Sequence, residues 1–398
     1  MINLSNRVLS LGESETIAMA RRSRELKSKG VDIINLSLGE PDFFTPQAVK
    51  DAAKEAIDKN FSFYTNVSGY VELREAICSK LKRDNQLDYT ADQIVVSTGA
   101  KHSIINVFLT TINPGDEVII PTPFWVSYKS MVELCGGIPV FVETSIENDF
   151  KFTASQIEAA ITSKTKALIF SSPCNPTGTV MGHDDLKSIA EMLQKHPSIL
   201  VISDEIYEYI NFEGKHESIA QFPGMIERTV IINGLSKGFA MTGWRVGYIA
   251  APLQIAKACD KIQGQYTSAT SSISQKACEM AMKVEPKELS FMTAAFKNRR
   301  DVFLRELKKI NGLRVNTPGG AFYLFPDVSA FLGKKDADGN VIQSAEDLAN
   351  YLLDNAHVAT VTGKAFGASN CIRLSYAINE DRLIEAANRI KQALEKLN

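Results

Sequence analysis

The sequence lacks the features that mark several large classes of protein. Its 398 residues carry 44 basic and 46 acidic side chains, so neither charge dominates, and no basic stripe points to a nucleic-acid partner. No apolar run approaches the roughly 18 residues that a membrane-spanning helix needs, so the sequence predicts no membrane span. Apolar residues make up 44% of the chain, which is typical of a globular protein.

Cysteine and histidine are also scarce. The six cysteines are widely spaced and include no C-x-x-C pair, which favours reduced thiols that pack as small apolar side chains. The five histidines fall outside any H-E-x-x-H arrangement, so we predict no protein-bound catalytic metal. The first residues contain no apolar core of signal-peptide length. Together these features predict a location in the cytoplasm, or in an organelle interior of similar chemistry.

Short apolar runs alternate with amphipathic stretches in the middle of the chain. Most of the runs are continuously apolar, as expected for strands that are covered on both faces. The predicted strands are Ile94–Ser97, Glu117–Ile120, Pro139–Glu143, Ala167–Ser171, Leu200–Ser203, Thr229–Ile232 and Val246–Ala250. Because helix-like segments lie between several of them, the pattern predicts an α/β fold with a mostly parallel sheet sandwiched by helices.

The pattern changes after about residue 285. An amphipathic stretch opens at Pro286 and runs to about Ile310. It is followed by predicted strands at Ala321–Phe325, near Val358–Val361 and at Ile372–Tyr376, and by predicted helices at Ala345–Asn355 and Asn379–Leu397. This order predicts a smaller α+β domain.

The most informative segment runs from Gly234 to Gly247 and reads GLSKGFAMTGWRVG. Lys237 follows a predicted strand and lies among small residues, which leave room for a bulky group on its amine. Arg245 lies near a turn, where it could bind a phosphate. Taken alone, the segment could also hold a surface lysine and a structural arginine, which is the less favoured interpretation.

Two further segments follow buried strands. In 172–178 (SPCNPTG), prolines flank Asn175 and would hold its amide still. Asp204 and Tyr207 follow the run 200–203, at the end of a parallel strand where open α/β sheets place ligand contacts. The alternatives are an ordinary strand-to-helix turn in the first case and a helix N-cap in the second.

A fourth segment, Ser97–Lys101, joins a predicted strand to an apolar helix. Small residues at the start of a helix leave backbone N–H groups free to hold a phosphate. Together the four segments supply an amine, a carboxylate for a pyridine nitrogen, donors for a phenolic oxygen and a phosphate cradle. The combination predicts a site for pyridoxal 5'-phosphate, PLP.

With these segments the chain resembles the class I aminotransferases of the aspartate aminotransferase superfamily, which are PLP enzymes of fold type I. The similarity runs from Leu38–Asp42 to Cys371–Tyr376 and looks closest to the bacterial aspartate aminotransferase branch, through Pro123–Tyr128 and Ala240–Arg245. The resemblance implies a seven-stranded sheet. It also implies a large PLP-binding domain over 50–285 and a small domain formed by 1–49 with 286–398.

The resemblance also implies roles for the cofactor-binding residues. Lys237 would bind PLP covalently and later move the proton of the substrate. Asp204 would pair with the ring nitrogen, while Asn175 and Tyr207 would bind the phenolic oxygen. Trp125 would stack on the ring, although such a tryptophan is often only core packing. The phosphate would be surrounded by Gly99, Ala100, Lys101 and Arg245.

For the substrate, the resemblance implies that Arg373 binds the α-carboxylate as a bidentate pair, although alone it could be a structural ion-pair partner. Gly39 would let the N-terminal segment approach the substrate. The substrate would also contact Trp125 and Asn175. Thr16 is a candidate for the substrate side chain. Tyr64 would reach the phosphate of a neighbouring subunit, which requires a homodimer with shared active sites.

Two positions depart from the family pattern. Many relatives carry serine three residues before the lysine, where this chain has Gly234, so one phosphate contact would be missing or supplied by Ser236. Many relatives also carry a second asparagine where this chain has Cys174. That thiol could line the pocket, but packing is the simpler interpretation.

The predicted activity is amino-group transfer by a ping-pong mechanism, with aspartate as donor and 2-oxoglutarate as acceptor. Aromatic amino acids, alanine, kynurenine and prephenate remain open as substrates. A PLP-dependent C–S β-lyase would share the fold and most of these residues. A nicotinamide dehydrogenase is disfavoured because no G-x-G-x-x-G follows any predicted strand. A PLP-binding regulator is disfavoured because no segment is left to encode a DNA-binding module.

Overall fold

The computed structural model describes residues 2–9, 11–12 and 15–398, without the side chains of Glu15 and Thr16. The elements of the first half are α1 Asn6–Leu9, α2 Glu15–Ser28, β1 Ile34–Asn35, α3 Gln47–Asp58, α4 Val71–Lys80, β2 Ile94–Ser97, α5 Ala100–Thr111, β3 Glu117–Pro121, α6 Ser127–Leu134, β4 Ile138–Val142, α7 Ala154–Ala159, β5 Thr165–Ser171, α8 His183–Leu193 and β6 Leu200–Asp204. Those of the second half are β7 Thr229–Gly234, β8 Gly247–Ala250, α9 Leu253–Tyr266, α10 Ser272–Lys283, α11 Pro286–Leu307, β9 Tyr323–Leu324, α12 Ala345–Tyr351, β10 Val358–Ala359, β11 Val361–Thr362, β12 Ile372–Ser375 and α13 Glu380–Leu394.

The seven strands predicted from the apolar runs form one sheet, in the order β2-β8-β7-β6-β5-β3-β4. Neighbouring strands are parallel except at β8, which is antiparallel to both β2 and β7. The predicted α/β class, with a mostly parallel seven-stranded sheet, is confirmed.

Helices cover both faces of this sheet. Successive side chains of a strand point to opposite faces, and β6 shows the result. Ile202 packs in a core with Val107 of α5, whereas its neighbour Val201 packs in a different core with Leu186 and Ile189 of α8. All five residues of β6 are buried, which explains why its sequence is continuously apolar until the polar residues at its end.

Two small sheets are formed by the remaining strands. β1 pairs in parallel with β10, and β12 lies between β11 and β9 in an antiparallel sheet. The predicted strand near 358–361 is divided at Thr360, so that its two halves join different sheets. Ile34 and Leu36 share a core with α11, α13 and the strands of the C-terminal part. This packing supports grouping the N-terminal segment with the C-terminal part, while the boundaries at 49 and 285 stay predictions.

No helix among the described residues is long and apolar enough to cross a membrane. The six cysteines are free thiols, and Cys259, Cys278 and Cys371 are buried. These three pack as the sequence predicts.

Candidate active site

A cavity of about 370 Å³ opens at the carboxyl ends of β5 and β6 and beyond the end of β7. Most of the residues predicted for a PLP site line it. They are Gly39, Ala100, Lys101, Trp125, Asn175, Asp204, Tyr207, Ser236, Lys237, Arg245 and Arg373. The parallel strands bring these distant segments together because their carboxyl ends meet at one edge of the sheet.

Lys237 lies three residues beyond β7, and its Nζ donates to the carbonyl of Gly39 at 2.5 Å. Burial, with the nearby Arg373 guanidinium, lowers the pKa of Lys237 to about 8. The amine therefore has an appreciable neutral fraction near neutral pH, which a nucleophile or a base requires.

Asp204 is the last residue of β6 and is buried. The hydroxyl of Tyr128 donates to its Oδ2 at 2.6 Å, and the backbone N–H of Ile206 donates to its Oδ1 at 3.3 Å. Burial raises the pKa of Asp204 to about 6, and these two hydrogen bonds oppose the rise. A buried carboxylate at the cavity wall can pair with a protonated ring nitrogen.

Arg373, on β12, reaches the cavity from the C-terminal part. Its Nη1 donates to Asn175 Oδ1 at 2.9 Å and its Nη2 donates to the Ser37 carbonyl at 2.7 Å. The guanidinium stacks 4.5 Å from the centre of the Tyr323 ring. Its Nε has no partner, and no carboxylate among the described residues bonds the group, although it is only 3% exposed. A buried cation of this kind is suited to bind an anionic ligand.

Tyr207 follows β6, and its hydroxyl lies 2.7 Å from that of Tyr323 on β9. Because the Asn175 carbonyl oxygen accepts from Arg373, the amide nitrogen of Asn175 remains available as a donor. The cavity therefore offers two neutral hydrogen-bond donors, the Asn175 amide and the Tyr207 hydroxyl, just beyond the carboxyl ends of β5 and β6.

The start of α5 forms the opposite part of the wall. The helix begins at Ala100 after Gly99, whose φ is +85°, so an L side chain is disfavoured there. A Cβ on Gly99 would lie 2.5 Å from Arg245 Nη2, which shows how closely the guanidinium approaches this backbone. Arg245 Nη1 donates to the Thr242 carbonyl at 2.9 Å. A helix N-terminus beside an arginine favours a phosphate.

The two departures from the family pattern have structural explanations. A Cβ on Gly234 would come within 2.9 Å of the Gly247 Cα and the Val246 carbonyl, so a serine does not fit there without a shift. Ser236 lines the cavity instead. Cys174 does not line it, and its thiol points to the Pro123 carbonyl at 3.7 Å. Packing is therefore the interpretation that the structure supports for Cys174.

Two predicted residues, Gly99 and Tyr64, do not line this cavity. Tyr64 is fully exposed, in a shallow groove with Ser62–Thr65 and Ala269–Ser272. Thr16 belongs to α2, but its side chain lies outside the described residues; its neighbour Ile17 lines the cavity.

Two tyrosines at the site were not singled out from the sequence. Tyr323 lies in the predicted strand 321–325, where a tyrosine after a Gly-Gly turn was the available signal. Tyr128 lies three residues after Trp125, which itself precedes α6, so no helical spacing pointed to it. The Tyr323 hydroxyl contacts a residue that is 116 positions away along the chain, and the Tyr128 hydroxyl contacts one that is 76 positions away. No local sequence pattern reveals such contacts.

Comparison with known proteins places these residues in a family. Residues 31–390 match the model of the family described as aminotransferase class I and II. The chain is similar to a bifunctional aspartate aminotransferase and glutamate/aspartate-prephenate aminotransferase of Petunia hybrida, at 47% identity over 99% of this chain and 83% of the relative. It is also similar to a probable aspartate/prephenate aminotransferase of Rhizobium leguminosarum bv. phaseoli, at 44% identity over 98% of each chain. The chain belongs to the class I and II aminotransferases.

Solved aminotransferase structures share the whole fold. The aspartate aminotransferase from Rhizobium meliloti matches with a TM-score of 0.96 and 41% identity, over 100% of both chains. The aspartate aminotransferase from Thermus thermophilus, determined with maleate, matches with a TM-score of 0.92 and 37% identity, over 99% of this chain and 100% of that chain. Class I and II aminotransferases depend on PLP.

The cavity of this aminotransferase fits that cofactor. Strand β8 lies so close to the start of α5 that a Cβ on Gly247 would overlap the Ala100 backbone nitrogen. The glycines at 99 and 247 therefore keep the amides of α5 and the Arg245 guanidinium together as one anion cradle. The buried amine of Lys237 and the buried carboxylate of Asp204 line the same cavity. These are the groups that PLP requires.

We expect Gly99→Ala to weaken PLP binding about tenfold or more, because the added methyl displaces Arg245 and one charged hydrogen bond to the phosphate is lost. Titration of the cofactor-free protein with PLP measures this. The matched control is Gly115→Ala, where φ is +90° and the space around the Cβ is open, so the backbone strain is similar without the contact. Equal losses in both variants would show that strain, not the cradle, sets the affinity.

Proposed function

We propose that this PLP-dependent aminotransferase uses aspartate as its amino donor and 2-oxoglutarate as its acceptor. The observation that carries the proposal is the charge of the cavity: Lys101, Arg245 and Arg373 line it together with Lys237, and Asp204 is the one carboxylate among the described residues that line it. A phosphate and one α-carboxylate account for two of these cations. A third cation suits the second carboxylate of an acidic substrate. The names of the relatives in Petunia and Rhizobium support the same substrate.

Within this proposal, the phosphate of PLP is held by the amides of α5 with Gly99 and Ala100, by Arg245 and by Ser236. Asp204 pairs with the ring nitrogen, and Trp125 covers the ring. When bound, PLP supplies an electron sink for breaking the bond between the substrate Cα and its hydrogen. Asn175 and Tyr207 fix the ring by donating to its phenolic oxygen.

Lys237 holds and moves the proton. Burial lowers the pKa of Lys237 to about 8, so the neutral fraction of its amine rises through the neutral pH range. As the neutral amine, Lys237 would take the proton from the substrate Cα, and as the ammonium it would hold that proton for return to the cofactor. Arg373 orients the substrate through its α-carboxylate, and Gly39 leaves space because a side chain there would collide with the Tyr323 hydroxyl.

The decisive experiment follows the visible absorption of the PLP-loaded protein after L-aspartate is added alone. We expect aspartate to bleach the band of the lysine-bound cofactor and 2-oxoglutarate to restore it, because the two half-reactions are separate.

The Lys237→Ala variant should bind PLP yet lose transamination. Bleaching by phenylalanine or alanine but not by aspartate would overturn the substrate. Prephenate restores the band only if it is also an acceptor. Pyruvate and ammonia released from a cysteine conjugate without an acceptor would indicate a β-lyase.

Lys101 is the candidate for the second carboxylate. Its Nζ stands 5.0 Å from the centre of the Trp125 ring, and burial lowers its pKa. No carboxylate among the described residues is bonded to it. The phosphate end already has Arg245, Ser236 and the amides of α5. We therefore propose the substrate side chain, rather than the phosphate implied by the resemblance, as the partner of Lys101.

Lys101→Met should lower kcat/KM for aspartate about tenfold or more and leave kcat/KM for alanine unchanged, because alanine has no second carboxylate. Steady-state kinetics with both donors measures the difference. Lys129→Met is the control, since Lys129 lies on α6 and pairs at the surface with Glu133. If Lys101→Met instead weakened the affinity for PLP and lowered kcat/KM equally for aspartate and alanine, Lys101 would be assigned to the phosphate, as the resemblance implies.

We also propose a homodimer with shared active sites. Tyr64 is 100% exposed, Phe63 is 82% exposed and Phe44 is 88% exposed, and large apolar side chains of this kind favour an interface. Tyr64 does not line the cavity of its own chain. The proposal places its hydroxyl at the phosphate of the second subunit. The cytoplasmic location, consistent with six free cysteines, stays a prediction.

Sedimentation should give the mass of a dimer, and Tyr64→Phe should weaken PLP binding without changing that mass.

Mixing the Tyr64→Phe variant with the Lys237→Ala variant tests directly whether two subunits share each active site. After subunit exchange, one site of each mixed dimer has both Lys237 and the Tyr64 of the other subunit, so activity at limiting PLP should rise above that of either variant. No gain on mixing would place Tyr64 outside a shared site.

A further inference from the structure

Tyr128 is a fully buried tyrosine whose hydroxyl has one strong partner. It lies in the first turn of α6, and its hydroxyl donates to Asp204 Oδ2 at 2.6 Å. The resemblance assigns it no role, and it does not line the cavity. A buried phenol bonded to a carboxylate in the interior is a charge-assisted hydrogen bond, which is stronger than a neutral one.

Asp204 has few other groups to stabilise its charge. The second carboxylate oxygen accepts a longer bond, of 3.3 Å, from the Ile206 N–H. Among charged groups, Glu205 opposes the ionisation of Asp204 and Lys237 favours it. The Cys174 thiol, raised in pKa by burial, contributes no charge. Tyr128 is therefore the main donor that favours the ionised form, against a burial effect that raises the pKa to about 6.

Tyr128 is also tied to the residue that would cover the ring. Its ring meets Trp125 edge to face, with the centroids 5.5 Å apart. Ser171, the strand partner of Asp204 in the sheet, lies on the cavity wall beside them. Through Tyr128, the start of α6 thus fixes Trp125 and the Asp204 carboxylate relative to each other. In the proposed function, Trp125 covers the face of the PLP ring and Asp204 pairs with the ring nitrogen.

We infer that Tyr128 is a positioning residue that keeps Asp204 ionised and aimed at the ring nitrogen of PLP. The inference rests on the proposed role of Asp204. Without the Tyr128 hydroxyl, Asp204 takes up a proton at a higher pH and no longer stabilises a protonated ring nitrogen. The electron sink that Asp204 maintains then weakens, although Lys237 and the phosphate cradle are unchanged.

The test uses Tyr128→Phe with PLP labelled with ¹⁵N in its ring. We expect the ring-nitrogen resonance to move toward that of neutral pyridine and the dissociation constant of PLP to rise about tenfold, the effect of one hydrogen bond to a charged group. The pH at which PLP affinity reaches half its plateau should move upward by about one unit, because the lost bond lowered the pKa of Asp204.

Tyr248→Phe is the matched control, since Tyr248 is equally buried and its hydroxyl has no partner among the described residues. It should leave the resonance and the affinity unchanged. In an Asp204→Asn background, adding Tyr128→Phe should not move the resonance further, whereas a merely structural role would add its own loss. An unchanged resonance in Tyr128→Phe would overturn the inference while leaving the proposed function intact. Failure of the wild-type chain to bind PLP would overturn both.

If Tyr128→Phe does not fold, 3,5-difluorotyrosine at position 128 keeps the shape of the side chain and makes the phenol a stronger donor. The half-plateau pH of PLP affinity should then move downward. No movement, or movement upward, would overturn the inference.

Discussion

The buried ion pair between Lys80 and Glu208 is the interaction on which the site depends most. Both side chains are almost completely buried, and Asn85 contacts both of them. Removing one partner would leave an unpaired charge in the interior and would lower the free energy of unfolding by about 3–5 kcal/mol. The pair fastens the segment after β6 to the end of α4, and that segment carries Tyr207 and directly follows Asp204.

A second network holds the same segment from its other side. Glu205 accepts from the hydroxyls of Ser203 and Ser218, at 3.0 and 2.6 Å, and lies 3.0 Å from His216 Nε2. Burial works against a charge on His216, yet the Glu205 carboxylate raises its pKa above the usual value. Glu205 and Glu208 thus have structural partners, whereas Asp204, the last residue of β6, lines the cavity.

The apolar pattern predicted the large sheet well because burial on both faces requires strands without polar residues. All seven strands were located to within a few residues, and Asp204 stood out because it ends such a run. The division at Thr360 was missed, since a continuous apolar run does not show that its halves pair with different strands. Local spacing also did not reveal the contacts of Tyr128 and Tyr323, because these depend on tertiary packing.

The contacts of Arg373 leave its guanidinium able to bind a carboxylate. Nη1 and Nη2 each donate one N–H, to Asn175 and to the Ser37 carbonyl, and each keeps a second N–H, while Nε has no partner. A bidentate carboxylate needs two donors on one edge of the guanidinium, so a substrate can bind without displacing Asn175. The stacked Tyr323 links Arg373 to Tyr207, so a shift of Arg373 would be felt at both proposed donors to the phenolic oxygen. One set of contacts between the small antiparallel sheet and the large one thus joins the residue proposed for substrate recognition to those proposed for cofactor orientation.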